Sequence, residues 1–316
     1  NSSIGVCPTI SNIFEKTFII FIVSDKIRLN LILLTASIKQ LQLKIIMDIE
    51  NALCDLNHKL SKISSSSKID SEILLMAALN ETRAYLYTHK DKVLDLSQEK
   101  ILYSFCERRM QKEPIAYILG KKEFWSREFN VSSDTLIPRP ESEMLVEEVL
   151  KLTSDKRTTS ILELGTGSGA IAISIGIERP KVSITATDIS LKALKKAKQN
   201  AKKFNINNIK FQESDWFKEL KNQSFDLIIS NPPYIKNQDS CLLELQFEPI
   251  SALISGEDGL DAIRHIANNA KQFLKNNGTI LIEHGMDQEM AVNQILKSNQ
   301  WNKIKCLPDL RGFPRI

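Results

Sequence analysis

Short apolar runs alternate with amphipathic stretches through the second half of the chain. The runs at 160–164, 182–187, 208–212, 225–230 and Thr279–Glu283 have the length and the β-branched or apolar content of strands. Helical periodicity fills 169–177, 190–203, a stretch near Leu260–Leu274 and one near Met286–Ser298. Strands alternating with helices predict a parallel sheet covered on both faces. The first half reads differently. From Met47 to about Gly120 the pattern is helical, with Asp70-Ser71-Glu72 read as the cap of Ile73–Leu79 and Ser97 as the start of a helix through Met110. Pro114 opens a short helix that Gly120 can end, and Ser64–Ser67 reads as a loop. Phe124–Val131 alternates and is aromatic, which predicts a strand or hairpin joining the halves. The stiff segment Leu136–Glu141 then leads into a helix at Ser142–Leu152.

With 316 residues, the chain can bury a large core and accommodate two domains. Its net charge of +4 is mild, and lysine-rich stretches such as Lys192–Lys203 read as solvated faces, so nucleic acid is not required by charge. Five cysteines without a C-x-x-C pair, and four histidines without metal spacing, point to a reduced compartment and no metal. The apolar run Phe18–Val23 is too short to span a bilayer, and no secretory signal precedes it. Residues 1–46 are read as translated upstream sequence or an unusual extension, with Met47 as the expected start. A cytoplasmic protein follows from this reading; an organellar presequence, hence an organellar matrix, is the alternative.

Two strand ends carry candidate chemistry. Ile161-Leu-Glu-Leu-Gly165-Thr-Gly167-Ser-Gly169-Ala170 runs from a strand through a glycine-rich turn into a helix, where backbone can approach a ligand closely and a helix N-terminus offers free N–H groups. The third glycine follows the second by two residues, so the dinucleotide fingerprint is not met. Asp188, roughly 20 residues beyond the loop, ends the next strand where an acid can bind ribose hydroxyls; its plain alternative is the N-cap of the following helix. Farther on, Phe225–Ser230 stops at Asn231-Pro232-Pro233-Tyr234. The prolines fix φ and remove backbone donors, leaving the Asn231 carboxamide and nearby carbonyls to accept from a planar NH2 group beside the Tyr234 ring.

Loop, acid and Asn-Pro-Pro-Tyr, in that order, resemble the class I S-adenosylmethionine-dependent methyltransferases. From Met47 onward the chain resembles, more narrowly, the HemK/PrmC-type release-factor glutamine methyltransferases. That likeness rests on Glu113-Pro114-Ile-Ala-Tyr117-Ile-Leu-Gly120, Glu123-Phe124-Trp125, Leu136 through Glu143, Glu248-Pro249 and Gly256 through Leu260. It implies an α/β, Rossmann-like, doubly wound and mostly parallel methyltransferase domain at 138–316. A helical substrate-docking domain at 47–120 and a β-hairpin linker at 121–137 would precede it. The implied cofactor is S-adenosylmethionine, contacted by Gly165, Thr166, Gly167, Ser168, Gly169, Asp188, Trp216 and Asn231. The implied partner is the Gly-Gly-Gln loop of class I peptide-chain release factors, whose glutamine amide would be held by Asn231, Pro232, Pro233 and Tyr234. Trp216 has a plain alternative as a core aromatic, and Arg139 as a cation paired with Glu141 or Glu143. The chain departs from the family in having Glu141-Ser142 where aspartate-threonine is frequent, and it stops at Asp309–Ile316, inside the family's last strand. Some relatives continue into a tRNA-methylating domain.

The reaction so implied is direct methyl transfer, with Asn231, Pro232 and Tyr234 orienting the amide and neither metal nor covalent intermediate required. The rivals are an adenine-N6 or guanine-N2 nucleic-acid methyltransferase, which would need a basic recognition surface, and a cofactor-binding module without catalysis, which would have a degraded Asn-Pro-Pro-Tyr.

Overall fold

The computed structural model describes residues 47–154 and 159–316; the expectations placed on residues 1–46 lie outside them. Five helices open the described chain: α1 (Ile49–Leu60), α2 (Ser67–Leu79), α3 (Arg83–Thr88), α4 (Leu96–Met110) and α5 (Ile115–Leu119). Their apolar faces meet in one core that includes Ile49, Leu56, Leu60, Leu74, Leu75, Leu86 and Leu102. Asp48 caps α1 by accepting from Asn51 N at 2.8 Å, and Asp95 with Gln98 forms a capping box on α4. That box, rather than Ser97, starts the fourth helix.

The cap expected at Asp70-Ser71-Glu72 is not one: α2 begins at Ser67, within the expected serine loop, and all three residues are buried inside the helix. They are tolerated because each is satisfied. Asp70 pairs with Arg109 at 2.9 Å and accepts from Ser64 and Ser66; Glu72 pairs with Arg83 at 2.7 Å and accepts from the Tyr87 hydroxyl.

A hairpin follows, β1 (Lys121–Phe124) against β2 (Arg127–Asn130), turning at Trp125 and Ser126 with φ of 51° and 55°. Two positive φ values suit a two-residue hairpin but are unusual for tryptophan. The turn is held because Trp125 N donates to Glu143 at 2.7 Å and its indole donates to Glu178 at 3.3 Å. Phe124 and Phe129 on the hairpin are buried in the main core, each removal from water stabilising by about 1.5–3 kcal/mol.

The remainder comprises α6 (Glu143–Leu152), β3 (Ser160–Leu164), α7 (Ala170–Glu178), β4 (Ser183–Asp188), α8 (Leu191–Lys203), β5 (Ile209–Glu213), β6 (Phe225–Ser230), α9 (Asp261–Asn269), β7 (Leu274–Ile282) and α10 (Glu289–Ser298). The expected helix to Leu274 ends earlier, gives way to a 3-10 turn at Ala270–Phe273, and leaves Leu274 to begin β7. The five strands are parallel in the order β5-β4-β3-β6-β7. Successive residues face opposite layers: Ile161 packs with α6 and α7, whereas Leu162 and Leu164 pack with α9 and Phe217. Strand order reverses between β3 and β6, so the carboxyl ends of those two central strands form the crevice where such sheets bind ligands.

Candidate active site

At the end of β3 the chain turns through Gly165, Gly167 and Gly169 with φ of 73°, 57° and 82°. A Cβ at Gly165 or Gly167 would meet nothing within 4 Å, so those two border open space. At Gly169 it would sit 2.9 Å from Ile173 Cδ1 and 3.1 Å from Ala197 Cβ, which lets α7 and α8 close together only over glycine. Thr166 N donates to Thr187 O at 2.8 Å, and its hydroxyl donates to Glu163 at 2.5 Å. Glu163, fully buried beneath the loop, is pushed up to about 7 by burial.

Asp188 is drawn into this loop. Its carboxylate accepts from Gly167 N at 2.9 Å and from Ser190 N at 2.9 Å. The N-cap of α8 is Ser190, whose hydroxyl accepts from Ala193 N at 3.2 Å, so the plain N-cap alternative for Asp188 is wrong. Burial pushes the Asp188 carboxyl up, and its backbone N–H partners oppose the shift. Ser214 N donates to Asp188 O at 3.1 Å, bringing the loop after β5 alongside; Trp216 on that loop has φ of 53° and lies 5.8 Å, ring to ring, from His265 on α9. Trp216 therefore packs against the core near Asp188, a position compatible with either expected role. The half-buried Asp188 carboxylate beside an open glycine cradle fits a ribose-bearing cofactor.

Asn231 leaves β6 next to the glycine loop, since Ser230 Oγ donates to Leu164 O at 2.9 Å. Pro232 is buried, and Pro233 and Tyr234 are half-buried. Asn231 Nδ2 donates to Ser142 Oγ at 2.8 Å, and Ser142 Oγ donates to Glu283 at 2.6 Å. The Tyr234 hydroxyl reaches the other Glu283 oxygen at 3.5 Å, and the Tyr234 carbonyl accepts from Gln288 at 3.0 Å. No hydrogen bond from the described residues reaches Asn231 Oδ1 or the Pro232 carbonyl. Burial pushes Glu283 up to about 7, with Ser142 and Arg315 opposing, and it raises the Tyr234 phenol beside Glu283.

Four residues of this neighbourhood have no site role in the sequence reading: Ser142, Glu283, Glu248 and Asn200. Ser142 is read there as a helix start and as part of the family-like segment, and Glu283 as a strand end, with no role in the site for either, although an acid at the carboxyl end of an apolar strand is the same signal that marks Asp188. Glu248, buried, accepts from Ile137 N at 3.0 Å and pairs with Arg139; Glu141 pairs with Arg311 at 3.2 Å and Glu143 binds Trp125, so both expected partners of Arg139 are corrected. Asn200, in the lysine-rich helix read as a solvated face, is wholly buried and donates to Ser168 O and Asn130 O, both at 2.9 Å. Its apolar-face spacing with Leu194 and Ala197 was the available signal. Among the described residues no grouping of three or more His, Cys, Asp or Glu suits a metal, and no helix is long and apolar enough to cross a membrane.

Comparison with known proteins gives two family matches, a "Methyltransferase domain" over residues 155–309 and a "PrmC N-terminal domain" over residues 51–120. The chain is 42% identical over 270 residues to a release factor glutamine methyltransferase of Coxiella burnetii, covering 85% of this chain and 98% of that protein. It is 43% identical to the protein of that name from Shewanella oneidensis, over 81% of this chain and 90% of the other. A bifunctional methyltransferase of Rickettsia felis is 41% identical over 85% of this chain, which spans 57% of that longer protein.

Proposed function

We propose, from the premise that this chain belongs to the release factor glutamine methyltransferase family, that it methylates the side-chain amide nitrogen of the glutamine in the Gly-Gly-Gln motif of class I peptide-chain release factors. S-adenosylmethionine is the methyl donor, carrying the transferable methyl on a sulfonium with a good leaving group. Gly165 through Gly169 and Asp188 hold its nucleoside, with Trp216 at the pocket wall. The helices at 47–120 receive the protein partner, and the hairpin at 121–137 connects them to the methyltransferase domain.

An amide nitrogen is a poor nucleophile because its lone pair is delocalised into the carbonyl. The observation that carries the proposal is the orientation of Asn231. With Nδ2 engaged by Ser142, Oδ1 and the Pro232 carbonyl make two acceptors for the two N–H bonds of a primary amide. Held so, the nitrogen is aimed, and the positive charge that develops on it is stabilised by oriented dipoles. Tyr234, anchored at both its hydroxyl and its carbonyl, packs on the amide plane. The proton leaves after transfer, so no strong general base is assigned.

The test is mass spectrometry of a purified class I release factor incubated with the protein and S-adenosylmethionine. One added methyl on the Gly-Gly-Gln glutamine is expected, and Asn231→Ala should lower kcat by roughly 10²-fold or more. Normal turnover in that variant would sink the site assignment. Methylation of DNA or RNA in a parallel reaction, with none on the release factor, would replace the substrate.

A further inference from the structure

We infer that Ser142 and Glu283 are positioning residues that set which end of the Asn231 carboxamide faces the reacting nitrogen, an inference that rests for its kinetic consequence on the function proposed above. The three residues come from separate elements: Ser142 from the turn before α6, Glu283 from the residue after β7, and Asn231 from the residue after β6. They meet in a chain of short hydrogen bonds, 2.8 Å from Asn231 Nδ2 to Ser142 Oγ and 2.6 Å from Ser142 Oγ to Glu283. Ser142 is 3% exposed and Glu283 1%, so water does not compete for either bond.

The chain has a direction. An ionised carboxylate only accepts, and a serine hydroxyl has a single proton to donate. With that proton committed to Glu283, Ser142 Oγ offers only lone pairs to its other side. Asn231 must then present Nδ2 to Ser142. The opposite orientation would set Oδ1 against a second acceptor. Oδ1 is thereby fixed as the outward atom, which is the polarity that an incoming N–H requires. Glu283 is itself held by its backbone, as Glu283 N donates to Ser230 O at 2.9 Å. Its remaining neighbours are the Tyr234 hydroxyl at 3.5 Å and the charges of Arg315 and Glu141. One buried carboxylate therefore orients both polar ends of the Asn-Pro-Pro-Tyr segment. A threonine hydroxyl has the same donor and acceptors, so Ser142→Thr preserves the relay and Ser142→Ala deletes it.

The experiment uses the full chain and two readouts. At saturating S-adenosylmethionine and release factor, Ser142→Ala should lower kcat by about 10-fold to 10²-fold, the scale for a misplaced catalytic contact. Cofactor Kd should stay within about twofold, and Ser142→Thr should restore kcat to within about threefold. A purely structural Ser142 would lower melting temperature without this split between kcat and Kd. Independently of any substrate, hydrogen exchange of the Asn231 side-chain NH2 is followed by NMR in asparagine-labelled protein, the signal assigned by its loss in Asn231→Asp. It should quicken about 10-fold in Ser142→Ala and not in Ser142→Thr. An unchanged kcat in Ser142→Ala, or unchanged exchange, overturns the relay. Failure of the wild-type protein to methylate a release factor would instead refute the proposed function, and the exchange measurement alone would then decide the relay.

Discussion

Replacing Glu163 by glutamine should change how stability depends on pH. The carboxyl lies wholly buried under the glycine loop, and burial raises it from an ordinary 4.5 to about 7. A carboxyl whose folded value is raised contributes stability that is fully present below its unfolded value. That contribution is lost as pH rises towards the folded value. The displacement, at about 1.4 kcal/mol per unit, amounts to roughly 3 kcal/mol at pH 8 and under about 1 kcal/mol at pH 5. Glu163→Gln removes the titration while keeping an oxygen for the Thr166 hydroxyl. Urea denaturation of the cofactor-free protein at both pH values gives the stability gap between variant and wild type. Between pH 5 and pH 8 that gap should move in favour of the variant by roughly 2.5 kcal/mol. Any constant cost of the substitution cancels in this difference, as does the contribution of Glu283, which both proteins share. A gap that stays constant across the range would refute the reasoning, because it would mean that folding does not desolvate the Glu163 charge.

Three further outcomes are expected. Asp188→Ala should weaken S-adenosylmethionine binding by about 1.5–3 kcal/mol in calorimetry, and an unchanged Kd would remove the ribose assignment. Gly259→Ala should cost about 1–3 kcal/mol of stability by denaturation and lower kcat. At that position φ is 80° and a Cβ would lie 2.3 Å from the Tyr234 carbonyl oxygen, so native stability and activity would contradict this packing. Because Glu283 titrates near 7, kcat at saturating substrates should fall as pH drops below about 7, where a protonated carboxyl can donate to Ser142 and release its hydroxyl towards Asn231. Glu283→Gln should flatten that limb; an identical limb in the variant would assign it to another group.

Periodicity sufficed for the alternation of strands and helices, because a sheet covered on both faces forces its inner strands β3 and β6 to be apolar on both sides, while helices such as α6, α8 and α9 bury one stripe. Loop chemistry was equally legible, since glycine at positive φ and proline at a strand end are local requirements satisfied by the residue itself. Local rules failed where a polar residue was satisfied from far along the chain. Asp70 and Glu72 look like a helix cap, yet they are buried in α2 because Arg109 and Arg83 reach them. Asn200 looks like one more solvated position among lysines, yet it binds Asn130 and Ser168 across the fold.

The same division runs through the site. Asn231, Pro232 and Tyr234 were found as a contiguous segment, and Asp188 as an acid at a strand end, because each is marked by its neighbours in the chain. Ser142 and Glu283 stand 141 positions apart and become a hydrogen-bonded pair only when the turn before α6 is laid across the end of β7. Residue types and their short-range spacing determine which groups exist and on which kind of element they sit. Which of those groups share a proton, and which charge is stripped of water, depends on long-range packing, because desolvation and hydrogen bonding act over a few ångströms of space however many residues lie between.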